Sequence, residues 1–124
     1  MSAEWICLAG YMRLLSAEFI DAYRNRVLNV HPSLLPAFAG THAQKQAWER
    51  GVQVTGVTVH LVDEKLDHGP ILLQEALSIK EGETLEEMEA RLLTIEHEIY
   101  PKALAFVLSG DWRLEGRRIV RQHR

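Results

Sequence analysis

The chain has 124 residues and a formal charge of −3, with 47% hydrophobic and 25% charged residues. This length and composition predict one globular domain, residues 1–124, and exclude a disordered or fibrous protein. The net negative charge gives no basic footprint for nucleic acid, and no stretch approaches the roughly 20 apolar residues of a membrane span. A single cysteine cannot form a disulfide within the chain, and we expect a cytoplasmic protein.

The first 30 residues predict a strand, a helix and a second, parallel strand. The apolar run 5–8 is typical of a strand buried on both faces, in which Cys7 is a buried small hydrophobe. Ser16 suits the N-cap of the helix, and residues 27–30 have the composition of the second strand. Residues 11–15 then form a loop at the carboxyl edge of the first strand, although they could also be a loop that only packs a helix.

The segment 29–36 places two polar side chains at the end of the second strand. Asn29 and His31 are two residues apart, so both side chains emerge on the same face of a strand. Pro32 and Pro36 prevent the strand from continuing, and the chain must turn into an ordered loop. Because ligands bind at the carboxyl ends of the strands in open α/β sheets, we expect a site here, with a strand that merely ends in a polar cap as the alternative.

Two further strands flank a charged loop. A helix that begins at Thr41 or His42 and ends at Gly51 precedes a β-branched run over 54–62. Residues 63–70 form a loop that a Gly-Pro pair ends, and the short connection to the strand 71–79 predicts an antiparallel pair in a mixed sheet. His60 lies on the first of these strands, where a lone histidine is more often structural than catalytic.

The C-terminal third predicts one long helix and a hairpin. Residues 84–87 fit a capping box, and apolar residues recur at helical spacing from Leu85 to Ile99. Glu96 lies at the edge of this apolar stripe, where a carboxylate needs a partner or a ligand. Pro101 should kink or restart the helix, Gly110 should end it, and residues 112–120 should form a hairpin around Gly116. The cationic cluster at the C-terminus, Arg117, Arg118, Arg121 and Arg124, is typical of a solvated tail, and we assign it no function.

Several polar groups can converge on one site: Asn29, His31 and Asp67, and also His42, His60 and His68. A metal centre is disfavoured because no two histidines stand at helical i, i+4 spacing. The alternative is acyl-type transfer without a covalent intermediate, in which a carboxylate holds an imidazole, the imidazole moves a proton and an amide stabilises the oxyanion. Ser33 and Cys7 are weaker candidates for a nucleophile, since Ser33 lies between prolines and Cys7 is expected to be buried.

The segments 29–36 and 66–71, with Gly40 between them, resemble the signature of folate-dependent formyltransferases. Residues 8–13 and 96–101 are similar to the branch of that family that formylates phosphoribosylglycinamide in purine synthesis. The resemblance extends from about Leu8 to Val120. It implies an α/β fold, with a Rossmann-like mixed sheet flanked by helices, that transfers a formyl group from 10-formyltetrahydrofolate without a metal.

The resemblance also implies a role for individual residues. Asn29, His31 and Asp67 would form the catalytic set, and Glu96 would contact glycinamide ribonucleotide together with Asn29. The folate would lie against two segments, with Met12, Arg13 and Leu15 in the first and Asp63, Glu64, Lys65, Leu66 and Asp67 in the second. The role of His42 is less secure, because its position lies near the active site in some family members only.

The chain differs from the family pattern at its N-terminus. The family begins with a strand and a glycine-rich loop that bind the substrate phosphate, and here the expected first strand is one from the middle of the domain. We therefore expect that the N-terminal βα units are missing, and that a complementing N-terminal half or self-association covers the exposed edge. Formyltetrahydrofolate hydrolysis, formyl transfer to methionyl-tRNA or a sugar amine, and a non-catalytic remnant are the alternatives.

Overall fold

The computed structural model describes residues 5–9, 26–63, 65 and 67–122. In this part of the chain, six strands form one sheet, and two helices accompany it. The strands are β1 (Ile6–Ala9), β2 (Val27–His31), β3 (Val54–Leu61), β4 (Ile71–Ser78), β5 (Trp112–Glu115) and β6 (Arg118–Arg121), and the helices are α1 (Ala43–Arg50) and α2 (Leu85–Ser109). The order of the strands in the sheet is β1-β2-β3-β4-β6-β5.

The sheet is mixed, as the sequence predicts. β1 runs parallel to β2, whereas β2, β3 and β4 are successively antiparallel. β6 joins β4 in a parallel pair and closes a hairpin with β5 around Gly116, which has the positive φ that such a turn requires. The helix predicted from Ser16 lies outside the described residues.

The core forms where α2 packs against β2, β3 and β4. Alternate residues of the strands point toward the helix, and they bury against its apolar stripe: Leu28, Val30, Val57, Val59, Leu61, Met88, Leu92, Ile99, Ala103 and Val107. The predicted capping box is confirmed, because the Thr84 hydroxyl accepts from the Glu87 amide and the Glu87 carboxylate accepts from the Thr84 amide. The opposite face of β2 and β3 therefore remains for polar residues.

Pro101 does not restart the helix, and α2 continues through it to Ser109 as one element. A proline inside a helix removes one backbone hydrogen bond. Pro101 itself is exposed, whereas Ile99, Ala103 and Val107 on either side of it are buried in the core. We attribute the continuity of the helix to this packing on both sides of the proline.

One expectation about the surface is wrong. Cys7 is exposed rather than buried, because β1 lies at an edge of the sheet, where fewer neighbours cover a side chain. The described C-terminal arginines are exposed, as predicted for a solvated run, but two of them lie on a strand. Arg118 and Arg121 belong to β6, and the guanidinium of Arg121 lies 4.4 Å from the ring centre of Phe106. Neither described helix is long and apolar enough to cross a membrane.

Candidate active site

The polar cluster lies on the face of β2 and β3 that points away from α2. All five residues of β2 are buried, and Asn29 and His31 are respectively 3% and 1% exposed. The antiparallel register places His60 directly opposite Asn29, and Thr58 directly opposite His31. Because side chains that face each other across two strands are close, the pairing of β2 with β3 brings both histidines and the amide together.

The loop after β2 folds back over this face and is fixed there by Thr58. The Thr58 hydroxyl donates to the Ser33 carbonyl at 2.7 Å and accepts from the Leu35 amide at 3.1 Å. Gln74 on β4 adds a hydrogen bond from its side chain to the Leu35 carbonyl at 3.0 Å. A Cβ at Gly56 would lie 2.3 Å from the Glu75 carbonyl oxygen of β4 and 2.6 Å from the Leu34 side chain, so only glycine fits between this loop and the sheet. The loop is therefore an ordered wall of the site, as the two prolines predict.

His31 has an acceptor oxygen next to each ring nitrogen. Its Nε2 lies 2.9 Å from the carbonyl of Phe38, and its Nδ1 lies 3.5 Å from Oδ1 of Asp67. A carbonyl can only accept, so Nε2 carries a proton. Nδ1 then faces the carboxylate of Asp67, an arrangement that suits proton transfer to or from a bound ligand.

Asp67 is held in position by its backbone and by Gly40. Its φ of 51° is in the left-handed region, which Asp adopts more readily than most residues. Oδ2 accepts from the Gly40 amide at 2.8 Å. Oδ1 lies 3.5 Å from His31 and 3.8 Å from His60, and it is buried without a hydrogen bond within the described residues. One carboxylate oxygen is thus anchored, and the other faces both imidazoles.

Gly69 fixes the end of the loop that carries Asp67. A Cβ at this position would lie 1.7 Å from the Leu61 carbonyl oxygen, so only glycine fits against the end of β3. A cavity of about 310 Å³ opens beside this loop, with Asp67, His68 and Arg117 among the residues that line it. The buried cluster therefore borders a space that a ligand can enter.

His60 is the member of the site that the sequence reasoning undervalued. The Nε2 atom of this residue lies 3.3 Å from the Asn29 side-chain nitrogen, and its Nδ1 lies 2.9 Å from the Leu61 carbonyl. Burial lowers the pKa of His60, which favours the neutral ring. The sequence did contain a signal, because His60 and Thr58 alternate on a strand that leads directly into the loop of Asp67.

The structure brings Asn29, His31 and Asp67 together, but it does not join Glu96 to them by a hydrogen bond or an ion pair. Glu96 lies on α2, one turn before Tyr100 and on the same face of the helix. The Tyr100 hydroxyl donates to the carbonyls of Leu8 and Leu28, so this face of α2 is turned toward β1 and β2. Partial burial raises the pKa of Glu96, and within the described residues no hydrogen bond compensates for it.

The remaining predicted site residues are placed only in part. Asp63 and Lys65 lie in the loop after β3, where Oδ1 of Asp63 accepts from the Lys65 amide at 2.9 Å. His68 pairs with Asp63 at 3.0 Å, and His42 is an exposed residue at the start of α1. Five further residues lie outside the described part of the chain: Met12, Arg13, Leu15, Glu64 and Leu66.

The described residues supply an amide, two imidazoles and a carboxylate, but no activated nucleophile at the cluster. The Ser33 hydroxyl donates to the Ala37 carbonyl at 2.5 Å, and Cys7 lies on the exposed edge strand. No group of three or more His, Cys, Asp or Glu side chains in the described ranges is arranged to hold a metal ion. The cluster can therefore donate hydrogen bonds and move protons.

Comparisons with known proteins place this geometry in a family. Residues 1–104 match the formyl transferase family model. The chain is 50% identical over 112 residues to the phosphoribosylglycinamide formyltransferase of Bacillus subtilis, and the match covers 90% of this chain and 57% of that relative. The chain thus spans little more than half the length of this relative.

Solved structures agree with the sequence match. The glycinamide ribonucleotide transformylase 1 of Symbiobacterium toebii superposes with a TM-score of 0.91 at 49% identity, covering 97% of this chain and 57% of that one. A formyltetrahydrofolate deformylase from Pseudomonas syringae superposes with a TM-score of 0.88 at 30% identity, covering 96% of this chain and 40% of that one. The predicted Rossmann-like formyltransferase fold is confirmed.

Proposed function

The chain belongs to the formyl transferase family, and we propose that it is the catalytic part of a phosphoribosylglycinamide formyltransferase. The reaction transfers a formyl group from 10-formyltetrahydrofolate to the primary amine of 5′-phosphoribosylglycinamide in the cytoplasm, as a step of purine biosynthesis. The observation that carries this proposal is the buried cluster of Asn29, His31 and Asp67, in which Oδ1 of Asn29 and Oδ1 of Asp67 have no hydrogen-bond partner among the described residues. Buried polar atoms without a partner are rare, and they suit a site that a ligand completes.

The three side chains have distinct roles in the proposed reaction. The amine of the ribonucleotide attacks the formyl carbon, a C–N bond forms, and the carbonyl oxygen becomes an oxyanion. The Asn29 amide donates to that oxyanion, as oxyanion-hole donors do. The His31–Asp67 pair takes the proton that the amine loses and returns one to N10 of the folate as the C–N10 bond breaks. No metal is required for these steps.

We assign the binding residues by the same family resemblance. The folate pterin is proposed to lie against Met12, Arg13 and Leu15 and against the loop from Asp63 to Asp67, which includes Glu64, Lys65 and Leu66. This loop follows β3 directly and ends at the catalytic carboxylate, so a ligand against it would be adjacent to the cluster. Glu96 is proposed to hold a hydroxyl of the ribonucleotide, and its partial burial without a hydrogen bond supports a ligand there.

The ribonucleotide phosphate is proposed to bind outside residues 1–124, in a segment that corresponds to the unmatched part of the longer relatives. We treat residues 1–124 as one partial domain, and we propose that an N-terminal half, or a second copy of the chain, lies against the edge strand β1. Hydrogen bonds to charged groups contribute roughly 1.5–3 kcal/mol each. Several of them at a phosphate would change substrate affinity by orders of magnitude.

Formyl transfer should be measured with two proteins. One is the 124-residue chain, and the other is a chimera in which the chain replaces the matching segment of the Bacillus subtilis relative. We expect the chimera to formylate glycinamide ribonucleotide, and the chain alone to be at least about 10²-fold less active because phosphate contacts are absent. A chimera that folds, binds folate and forms no formylated product would refute the proposal.

The second candidate function is hydrolysis of formyltetrahydrofolate, which the structural match to the Pseudomonas syringae deformylase favours. In that case water would replace the amine, and formate would appear without any ribonucleotide. The same assay distinguishes the two activities, because transfer requires glycinamide ribonucleotide and hydrolysis does not. Binding of folate without either product would instead indicate a non-catalytic folate-binding remnant.

A further inference from the structure

His60 and Asn29 form a hydrogen bond, and a backbone carbonyl determines which of the two side chains donates and which accepts. His60 is 1% exposed and lies directly opposite Asn29 across β2 and β3. The register of β3 against β4 shifts by one residue between Val59 and His60, and such irregularities are common next to active sites. Nδ1 of His60 lies 2.9 Å from the Leu61 carbonyl, and Nε2 lies 3.3 Å from Nδ2 of Asn29.

The proton on His60 can be assigned from these partners. A carbonyl oxygen only accepts, so the Nδ1 of His60 that faces Leu61 must carry the hydrogen. In the neutral ring Nε2 then has a lone pair, and it can only accept. Of the two ends of the Asn29 amide, only the NH₂ group can donate to that lone pair. The opposite rotamer would point the Asn29 oxygen at the lone pair and lose this hydrogen bond.

The groups around His60 shift its pKa in opposite directions, and burial has the largest effect. Desolvation lowers the pKa of His60, as does the neighbouring His31. The Leu61 carbonyl and the carboxylates of Asp67 and Asp63 raise it by smaller amounts. The net direction is downward, which favours the neutral ring, in which Nε2 is an acceptor.

We infer that His60 is a positioning residue that fixes the rotation of the Asn29 amide through the lone pair on its Nε2. This inference rests on the function proposed above. One N–H of Asn29 is used by His60, and the second N–H is left to donate to the oxyanion. The Asn29 oxygen, which is buried without a partner, is left to accept from the attacking amine. A histidine that carried its proton on Nε2 would favour the opposite amide rotamer and would place an acceptor where the oxyanion forms.

The tautomer can be tested without any activity assay. We expect ¹⁵N NMR of the labelled 124-residue chain and of the chimera to show His60 as the neutral Nδ1–H tautomer at pH 7. In the same spectra, one Asn29 side-chain proton should have the shift of a hydrogen-bonded proton, and that shift should be lost in His60→Leu. A neutral Nε2–H tautomer, or a charged His60 at pH 7, would overturn the inference even if formyl transfer were confirmed.

The kinetic test compares two substitutions of similar size in the chimera. His60→Leu removes the acceptor, whereas His60→Gln keeps an oxygen near the position of Nε2. We expect kcat to fall about 10- to 10²-fold in His60→Leu and to recover to within about fivefold of the parent in His60→Gln, with both KM values within about threefold. The loss should not exceed that of removing an oxyanion donor, which is roughly 10² to 10³.

A double-mutant cycle separates positioning from a general loss of structure. If His60 acts through Asn29, His60→Leu should reduce kcat little further in an Asn29→Ala background. Additive losses, or equal losses in His60→Leu and His60→Gln, would contradict the inference. If His60→Leu fails to fold, as thermal unfolding would show, the kinetics of His60→Gln and the NMR tautomer still decide it. A chimera without any formyl transfer would refute the proposed function and leave the tautomer measurement valid.

Discussion

The loop after β3 carries two aspartates, Asp63 and Asp67, and each of them pairs with a histidine; the two pairs differ in burial more than in distance. Asp63 and His68 lie 3.0 Å apart, with side chains 24% and 46% exposed, whereas Asp67 and His31 lie 3.5 Å apart and are both 1% exposed. The shorter contact has the smaller expected effect, because water screens exposed charges and the protein interior does not. Distance alone therefore does not identify the pair that we propose to be functional.

The two pairs also differ in whether every polar atom has a hydrogen-bond partner. Each nitrogen of His31 and one oxygen of Asp67 have defined neighbours, yet the second carboxylate oxygen has no hydrogen bond within the described residues. In the exposed pair, each oxygen of Asp63 has a partner, in Lys65 and in His68. The unsatisfied cluster is the one that a substrate can complete. We expect the effects of substitutions to decrease from the buried cluster to the exposed pair.

Asp67→Asn should have the largest effect. In the chimera we expect kcat to fall by roughly 10² to 10⁴, because a neutral amide cannot stabilise a proton on His31. Asn also adopts the left-handed backbone of Asp67, so folding and folate binding should persist. Steady-state kinetics and folate titration measure both quantities, with exposed Glu81→Gln as the matched control. Turnover within tenfold of the parent would exclude Asp67 from catalysis.

Asn29→Ala should have the next largest effect, on turnover rather than affinity. We expect kcat to fall by on the order of 10² to 10³ with both KM values within a few fold, as for the loss of one oxyanion donor. The comparison needs initial rates over a range of each substrate. A change confined to KM would make Asn29 a binding residue and would require a different oxyanion donor.

The effect of Glu96→Gln should be intermediate between those at the buried cluster and at the exposed pair, because Glu96 is partly buried. Its raised pKa means that the folded state binds a proton more tightly than the unfolded state, so its contribution to stability is present below about pH 4.5 and is lost as pH rises through the folded pKa. Glu96→Gln should therefore be more stable than the parent at pH 7, and the difference should disappear below about pH 4.5. Urea unfolding at both pH values measures this.

The same substitution should weaken ribonucleotide binding. Replacing a charged acceptor by a neutral one should raise the KM for glycinamide ribonucleotide roughly tenfold and leave the KM for folate unchanged. If instead only the folate KM changes, Glu96 faces the other substrate. A parent more stable than Glu96→Gln at pH 7 would indicate that the carboxylate has a protein partner.

The exposed pair should give the smallest effect. A double-mutant cycle with Asp63→Asn and His68→Gln should give a coupling free energy of about 0.2–1 kcal/mol in urea unfolding, and the coupling should decrease as salt is added. A coupling above about 2 kcal/mol would contradict the role that we give to burial in the comparison.

The sequence by itself determined the local elements and one half of the site. The capping box at Thr84, the β-branched alternation of β3 and the prolines after His31 each act over a few residues, so each predicted the structure that is found. The resemblance around Asn29, His31 and Asp67 likewise predicted three side chains that the fold brings together. Patterns of this kind depend on neighbours along the chain, and they can be recognised without the fold.

The tertiary structure decided which groups these side chains contact. His60 and Asn29 are 31 residues apart in sequence, and only the strand register brings them into contact. His31 is oriented by the carbonyl of Phe38, which lies in a loop that folds back over the sheet. The exposure of Cys7 follows in the same way from the position of β1 at the edge of the sheet. Hydrogen-bond partners and burial depend on segments distant in sequence, and no local periodicity encodes them.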